Sequence, residues 1–375
     1  MENKRYKTTI KVLLAIIIAM LAISFVLFIM WQNEKKLPVA TTEKLDGDNL
    51  EENKDTEEVL ENTDAEIENI ADASEDMDIS PDVLSRLSVR DCRIIDENGK
   101  VVQLKGMSTH GLLWYPEYTN YAAIKTTKDY GANAFRIAMY ANEPNGGYIQ
   151  SRDMSTKLLR AAVENVKAAG MYAIIDWHVL NEHNPIYDVE AAKAFFKETS
   201  ELYGNDPQII YEICNEPNNE ATWEDIKNYA NQVIPIIREN APDSLIIVGT
   251  PEYSYNIRAV LSDKLDYDNL LFSFHFYAGQ FNDDYKDILK ECDDAGIAAI
   301  ISEWGINTDG TPGALSQGKE FISYINNHKI SWFAWSLCNK QECFSAIKSD
   351  CYKLSGWEED DLTEVGKVFF DAFRE

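Results

Sequence analysis

Eight short runs of almost unbroken apolar residues recur along the chain: Gln103–Met107, Ala134–Met139, Tyr172–Trp177, Ile209–Cys214, Leu245–Gly249, Leu270–Phe274, Ala298–Ser302 and Ser331–Trp335. Between them lie longer segments with apolar residues three and four apart, namely Met154–Ala169, Val189–Tyr203, Trp223–Glu239, Asp284–Ala295 and Leu315–Asn326. Short runs of this kind predict strands buried on both faces, and the longer segments predict amphipathic helices. Strands alternating with helices make parallel βα units, and eight of them predict a closed (β/α)8 TIM barrel of the α/β class over residues 85–375. An open doubly wound sheet is the alternative, but no glycine-rich phosphate loop accompanies the pattern. Ahead of the first barrel strand, Val89–Ile95 and Val101–Leu104 flank Asp96-Glu-Asn-Gly99, an Asn-Gly signal that predicts an N-terminal β-hairpin.

The first 84 residues read differently. Lys4, Arg5, Lys7 and Lys11 precede an uncharged apolar run from Val12 to Trp31. Twenty helical residues span roughly 30 Å, the thickness of a bilayer core. The exit, Phe28-Ile29-Met30-Trp31-Gln32, lacks the small residues of a cleavage site. The expectation is a cytoplasmic tail at 1–11, a transmembrane anchor at 12–31 and an acidic linker at 32–84. The basic flank places the rest of the chain outside the cell membrane, with secretion after signal cleavage as the alternative. Pro38–Ser80 holds 16 acidic residues against Lys44 and Lys54, or −14, half of the net charge of −28. Such a segment reads as a charged spacer extended by its own repulsion, its heptad pattern being too weak for a coiled coil. The acidic balance excludes nucleic acid as a partner, since phosphate binding needs a basic face.

Six cysteines beyond a membrane can pair. Cys338, Cys343 and Cys351 are close enough in sequence for one loop-closing bridge, Cys343–Cys351 being a candidate, whereas Cys214 reads as a buried thiol within a strand. No CxxC pair or other compact ligand motif suggests zinc, and no metal or cofactor is expected.

Polar residues collect where the strands end, which in a parallel barrel is the side that carries chemistry. The first strand runs into Ser108-Thr-His-Gly-Leu-Leu-Trp114, the second carries Arg136 and ends at Tyr140, and the third ends Asp176-Trp-His178. The fourth ends Asn215-Glu-Pro217, the sixth leads into His275-Phe-Tyr277, the seventh ends Glu303-Trp-Gly305 and the eighth ends at Trp335. Three of the five histidines, His110, His178 and His275, fall at these exits. Glu216 and Glu303 each close an Ile-rich run, and two converging carboxylates are the minimum equipment for breaking a glycosidic bond.

Phe135-Arg-Ile-Ala-Met-Tyr140, Ile174-Ile-Asp-Trp-His178, Ile213-Cys-Asn-Glu-Pro217, His275-Phe-Tyr-Ala-Gly279 and Ser302-Glu-Trp-Gly305 resemble the bacterial endoglucanases of glycoside hydrolase family 5. Lys105-Gly-Met-Ser-Thr-His-Gly111 and Ser331-Trp-Phe-Ala-Trp-Ser-Leu337 do so too, and the collinear match covers about residues 88–370. The resemblance implies a retaining endo-β-1,4-glucanase acting on cellulose or a related β-glucan, with its acid on strand four and its nucleophile on strand seven; a monomer is expected. It places Arg136 and Tyr277 beside Glu303, Asn215 on the sugar 2-hydroxyl, and Lys340 with Glu342 in a sugar-contacting loop. Two departures stand out. Tyr253 occupies a position where relatives carry tryptophan, and Asn339 one where histidine is common.

Chemistry assigns the roles. A guanidinium and a phenol favour the charged form of Glu303, the nucleophile, and the resulting negative charge is expected to keep Glu216 protonated as the acid. His110, His178 and His275 are expected to hold hydroxyls or orient the acid. Trp114, Tyr140, Tyr253 and Trp335 offer flat faces to glucose rings. The plainer readings are a rim salt bridge for the glutamates, satisfied core histidines and ordinary aromatic packing. Glu212, inside an apolar run, reads as an ion-pairing residue within the barrel. A β-mannanase or xyloglucanase with the same pair, a metal-dependent hydrolase using Asp176, His178 and His275, and a non-catalytic glycan-binding barrel remain as alternatives. The main reading requires Glu216 and Glu303 to share a groove with less than about 8 Å between them.

Overall fold

The computed structural model describes residues 84–375, apart from 205 and 282. The tail at 1–11, the span at 12–31 and all but the last residue of the linker lie outside the described residues. Among the described residues, no helix is long and apolar enough to cross a membrane.

The chain opens with an antiparallel pair, β1 (Ser88–Arg90) and β2 (Arg93–Ile95). The hairpin turn is Asp91-Cys92, both residues left-handed with φ 49° and 60°, so the expected strand Val89–Ile95 is in fact two strands. That geometry is the two-residue turn whose twist suits a tight hairpin. The Asn-Gly turn is present as well, with the Gly99 N–H donating to the Asp96 carbonyl, but it closes only a single bridge, Ile95 to Val101.

Eight parallel strands then close on themselves: β3 (Lys105–Thr109), β4 (Ala134–Tyr140), β5 (Tyr172–His178), β6 (Ile209–Glu212), β7 (Ile246–Val248), β8 (Leu270–Ser273), β10 (Ala299–Ile306) and β11 (Trp332–Leu337). Closure comes from β11 pairing with both β10 and β3. A short strand, β9 (Phe276–Ala278), continues β8 along β10 after a break at Phe274-His275. The helices are α1 (Tyr121–Asp129), α2 (Arg152–Ala168), α3 (Val189–Tyr203), α4 (Trp223–Asn240), α5 (Tyr285–Asp294), α6 (Ala314–Asn327) and α7 (Glu364–Ala372). Each expected helix is present. α4 begins where Thr222 and Asp225 cap one another's backbone N–H groups, satisfying donors that a helix start leaves open. After β7 no helix of full length forms; a left-handed turn at 252–254 and one 3₁₀ turn, Ile257–Val260, take its place.

The strands alternate, and this positions the site. Ala134, Ile174, Ile210, Ile247, Leu271, Ile300 and Phe333 form an apolar layer with Leu87 and Ile94 of the hairpin, which closes the amino-terminal end of the barrel. Two residues further along β5 and β6, the same inward face presents Asp176 and Glu212, paired in register. The barrel interior thus changes from aliphatic to ionic as it rises toward the carboxyl ends. The outward residues, among them Trp177, Trp304 and Trp332, pack with the helices. All six cysteines are free. Cys343 faces Asn307 and Cys351 faces Asp361, so the suggested Cys343–Cys351 bridge is not formed, while Cys214 is fully buried as expected.

Candidate active site

A cleft of about 940 Å³ lies over the carboxyl ends of the strands, and Glu216 and Glu303 both line it. A carboxylate oxygen of each, together with a ring nitrogen of His275, lies within 4.8 Å of the others. So close an approach of the two carboxyl groups fits pairs that act by attack and protonation, about 5–5.5 Å apart, and not the roughly 6.5–9.5 Å that admits a water between them.

A bulge explains how β10 supplies two adjacent residues to one face. Ile301 pairs with Trp332 and Trp304 with Ala334, so three steps on β10 match two on β11. The extra residue breaks the alternation, a common device for re-aiming a side chain near a site. Ser302 reaches His275 Nε2 at 2.9 Å, and Glu303 reaches Arg136 and Tyr277. Gly305 completes the arrangement: a Cβ there would lie 2.6 Å from the Tyr277 ring, so only glycine lets that ring lie against β10.

Both Glu303 oxygens receive donors, the Tyr277 hydroxyl at 2.6 Å and Arg136 Nη1 at 3.0 Å. Arg136 is wholly buried, and each of its nitrogens finds an acceptor: Nε on Glu212 at 2.7 Å, Nη1 on Glu303, and Nη2 on Asn215 at 2.7 Å and Asp176 at 3.0 Å. Burial pulls the guanidinium's pKa down, but Asp176, Glu212 and Glu303 more than offset it and keep it charged. Glu212 therefore does ion-pair within the barrel, as its place in an apolar run suggests. One cation cannot neutralise three buried anions. Burial raises Asp176 to about 7 and pushes Glu212 upward, in each case against Arg136.

Glu216 is held differently. Its side chain is 12% exposed to the cleft, and Oε1 meets His275 Nδ1 at 2.8 Å. Burial lifts its pKa to about 8, with Asp176 and Glu212 adding to the rise and Arg136 opposing it. The cause thus differs from expectation: removal from water comes first, not the charge on Glu303. Burial and Glu216 also push Glu303 upward, opposed by His275, Arg136 and His178. The donors differ between the two: Glu303 receives two, one of them cationic, and Glu216 one, which favours the charged form of Glu303 over that of Glu216. Burial lowers His275 to about 4, so it is neutral at pH 7. A proton on Nδ1 would let it donate to Oε1 of Glu216 and accept from Ser302 at Nε2, with Oε2 of Glu216 left free of that contact.

The remaining expected residues divide by exposure. His110, Trp114, Tyr140, His178, Tyr253, Trp335, Lys340 and Glu342 all line the cleft. His178 lies between Tyr140, at 4.2 Å between ring centres, and Trp335, stacked at 5.3 Å, while its Nδ1 contacts Asp176 at 2.6 Å. One face of Tyr140 and of Trp335 is consequently engaged by the histidine. Tyr253 is the most open ring, 46% exposed, and Trp114 Nε1 donates to the Asn145 carbonyl. His110 sits 3.2 Å from the Lys340 ammonium, which in turn pairs with Glu342 at 2.6 Å. Asn215 is fully buried beneath the cleft; its amide nitrogen faces His178 Nε2 at 3.1 Å and its oxygen holds Arg136. Sequence reasoning missed Ser302, and it assigned Asp176 only to the metal alternative. The signal for Ser302 was a hydroxyl at a strand end beside a carboxylate. Glu216, His275 and Glu303 are close enough to hold a cation. The Arg136 charge on Glu303 and the burial that disfavours a charged Glu216 oppose one.

A closed parallel barrel with this cleft at its carboxyl face defines a (β/α)8 fold with its candidate site on the face where such barrels carry chemistry. The chain belongs to the cellulases of glycosyl hydrolase family 5, whose family profile matches residues 95–341. It is 40% identical over 285 residues to an endoglucanase of Clostridium saccharobutylicum, covering 75% of this chain and 63% of that one. It is 39% identical over 293 residues to Endoglucanase N of Pectobacterium atrosepticum, covering 77% and 65%. The chain thus spans under two-thirds of the length of these relatives. Among solved structures, the cellulase Cel5C_n superposes with a TM-score of 0.73 at 34% identity, covering 80% of this chain and 95% of that one. The catalytic domain of Thermobifida fusca endoglucanase Cel5A gives 0.72 at 29% identity, covering 77% and 97%.

Proposed function

We propose that this protein is an endo-β-1,4-glucanase that cleaves β-glucan chains with retention of configuration. The observation that carries the reading is the pair itself: Glu216 and Glu303 within 4.8 Å, one held neutral by burial and the other receiving Arg136 and Tyr277. In the first step the Glu303 carboxylate attacks the anomeric carbon while Glu216 gives its proton to the departing glycosidic oxygen. A glycosyl ester forms on Glu303, whose charge disappears. Glu216, now a carboxylate, takes a proton from water as that water displaces Glu303, which returns the enzyme to its starting state. Arg136 and Tyr277 hold the nucleophile, His275 aims the acid, and Asn215 stands below the position of the sugar 2-hydroxyl.

The spread of the cleft across the rim supports an endo mode. Trp114 follows β3 and Tyr253 follows β7, four strands apart in a ring of eight, so the cleft is lined from opposite sides of the rim. A chain can pass through and be cut internally. The Thermobifida fusca catalytic domain, in variant form, has been solved in complex with cellotetraose, which favours a β-1,4-glucan here. His110, Lys340, Glu342 and the aromatic rings would then contact successive sugars. The apolar run at 12–31 and its basic flank favour an anchored enzyme acting outside the cell.

The substrate is tested by product profiles on carboxymethylcellulose, lichenan, xyloglucan and mannan. Rapid release of short oligosaccharides from the first two is expected; preferential cleavage of mannan or xyloglucan would replace the glucanase reading with a neighbouring one. The pH profile tests the acid. Glu216 must be protonated to act, so kcat/KM on lichenan is expected to fall as pH rises through about 8. A profile still rising there would remove Glu216 from that role.

A further inference from the structure

Three consecutive residues without a glycine among them, Glu252, Tyr253 and Ser254, are left-handed, with φ of 59°, 61° and 56°. The conformation crowds the Cβ of any L-residue and persists where its surroundings impose it. The surroundings here are the acid's own backbone. Ser254 Oγ donates to the Asn215 carbonyl at 2.6 Å and accepts from the Thr250 N–H at 3.1 Å. The Tyr253 N–H donates to the Pro217 carbonyl at 3.0 Å. Glu216 is thus gripped on both sides by one turn. The same turn reaches the acid's partner, because the Ser254 carbonyl accepts the His275 N–H at 2.8 Å. Gly249, just before the turn, lies so close to this loop that a Cβ would meet the Cys214 carbonyl oxygen at 2.1 Å and the Asn215 oxygen at 3.0 Å.

We infer that Ser254 is a positioning residue: through the left-handed turn it closes, it sets Glu216 and His275 against each other so that the acid proton points at the leaving oxygen. The inference rests on the proposed role of Glu216. Ser254 touches no sugar; it is fully buried and lies outside the residues that line the cleft. Its contribution is to orientation, and orientation of the acid matters only where the leaving group needs a proton. A sugar alkoxide needs one. A dinitrophenolate does not.

The test uses Ser254→Gly, which suits a φ of 56° and removes the hydroxyl without adding strain, with Ser254→Ala beside it. kcat and KM are measured on lichenan, and kcat/KM on 2,4-dinitrophenyl β-cellobioside. On lichenan kcat is expected to fall about 10- to 100-fold with little change in KM. On the aryl glycoside the loss is expected to stay below about threefold, since no proton is transferred to the leaving group. Equal losses on both substrates, no loss on lichenan, or failure of both variants to fold by circular dichroism would overturn the inference, leaving the serine with a structural role or none. If the unmodified enzyme cleaves neither substrate, the reading of Glu216 as acid fails instead.

Discussion

Glu303→Ala is expected to reduce turnover of lichenan by on the order of 10⁴-fold or more, while a cello-oligosaccharide still binds. The reason is that no other group can form the ester. The remaining carboxylates near Arg136, Asp176 and Glu212, are fully buried beneath the cleft and already hold the guanidinium. Steady-state kinetics with calorimetric titration of cellotetraose checks both halves of the expectation. Binding unchanged with turnover reduced by less than about tenfold would mean that Glu303 is not the nucleophile. A protein that binds glycans and never turns them over would be indifferent to the substitution in its only activity, so the same experiment separates an enzyme from a receptor.

Glu216→Ala removes the acid and the base together and is expected to lower lichenan hydrolysis about 10²- to 10⁴-fold. The pattern of rescue is more diagnostic than the size of the loss. A dinitrophenyl glycoside should still load Glu303, because its leaving group departs unprotonated, and the ester should then accumulate. Added azide needs no base and fits the space vacated by the carboxyl. It is expected to attack the ester from the opposite face, release a β-glycosyl azide and restore the rate. Rescue that yields an α-azide would place the ester on the wrong face and refute the two-step scheme.

Much of this molecule is legible in the residues. The eight strands show because a barrel strand is buried on both faces and so reads as a nearly continuous apolar run, as in Ile246–Val248. The hairpin at the barrel's closed end is legible in kind but not in place. Asn98-Gly99 is the louder signal, yet Asp91-Cys92 makes the tighter turn because Leu87 and Ile94 must reach the barrel floor. α1 is hard to see, since it buries only Ala123, Ile124 and Thr127. α7 carries a clear signal, a Thr363 cap ahead of Val365, Val368 and Phe369, but a long loop separates it from β11. The break between β8 and β9 has no glycine or proline to announce it. It nevertheless frees His275 to meet Glu216.

At the site, the polar residues at strand ends could be named, but their connections could not. That Asp176 and Glu212 share Arg136 with Glu303 depends on register across β4, β5 and β6 and on the closure of the barrel. No local pattern encodes it. The bulge that turns Ser302 and Glu303 to the same side is equally a property of two strands rather than one. The turn at 252–254 is the extreme case, for Glu-Tyr-Ser has no residue that prefers a left-handed backbone, and only tertiary hydrogen bonds impose it. The cause of the raised Glu216 pKa also escapes the sequence, because depth below the surface is not written in neighbouring letters.

The most direct test of the central claim is the configuration of the new reducing end at the moment of cleavage. Proton NMR following cellotetraose hydrolysis, read before mutarotation, is predicted to give the β-anomer first, with the α-anomer growing in only as the products equilibrate. The α-anomer appearing first would mean a single displacement by water, a result that two carboxylates lying within 4.8 Å and acting as acid and nucleophile cannot produce.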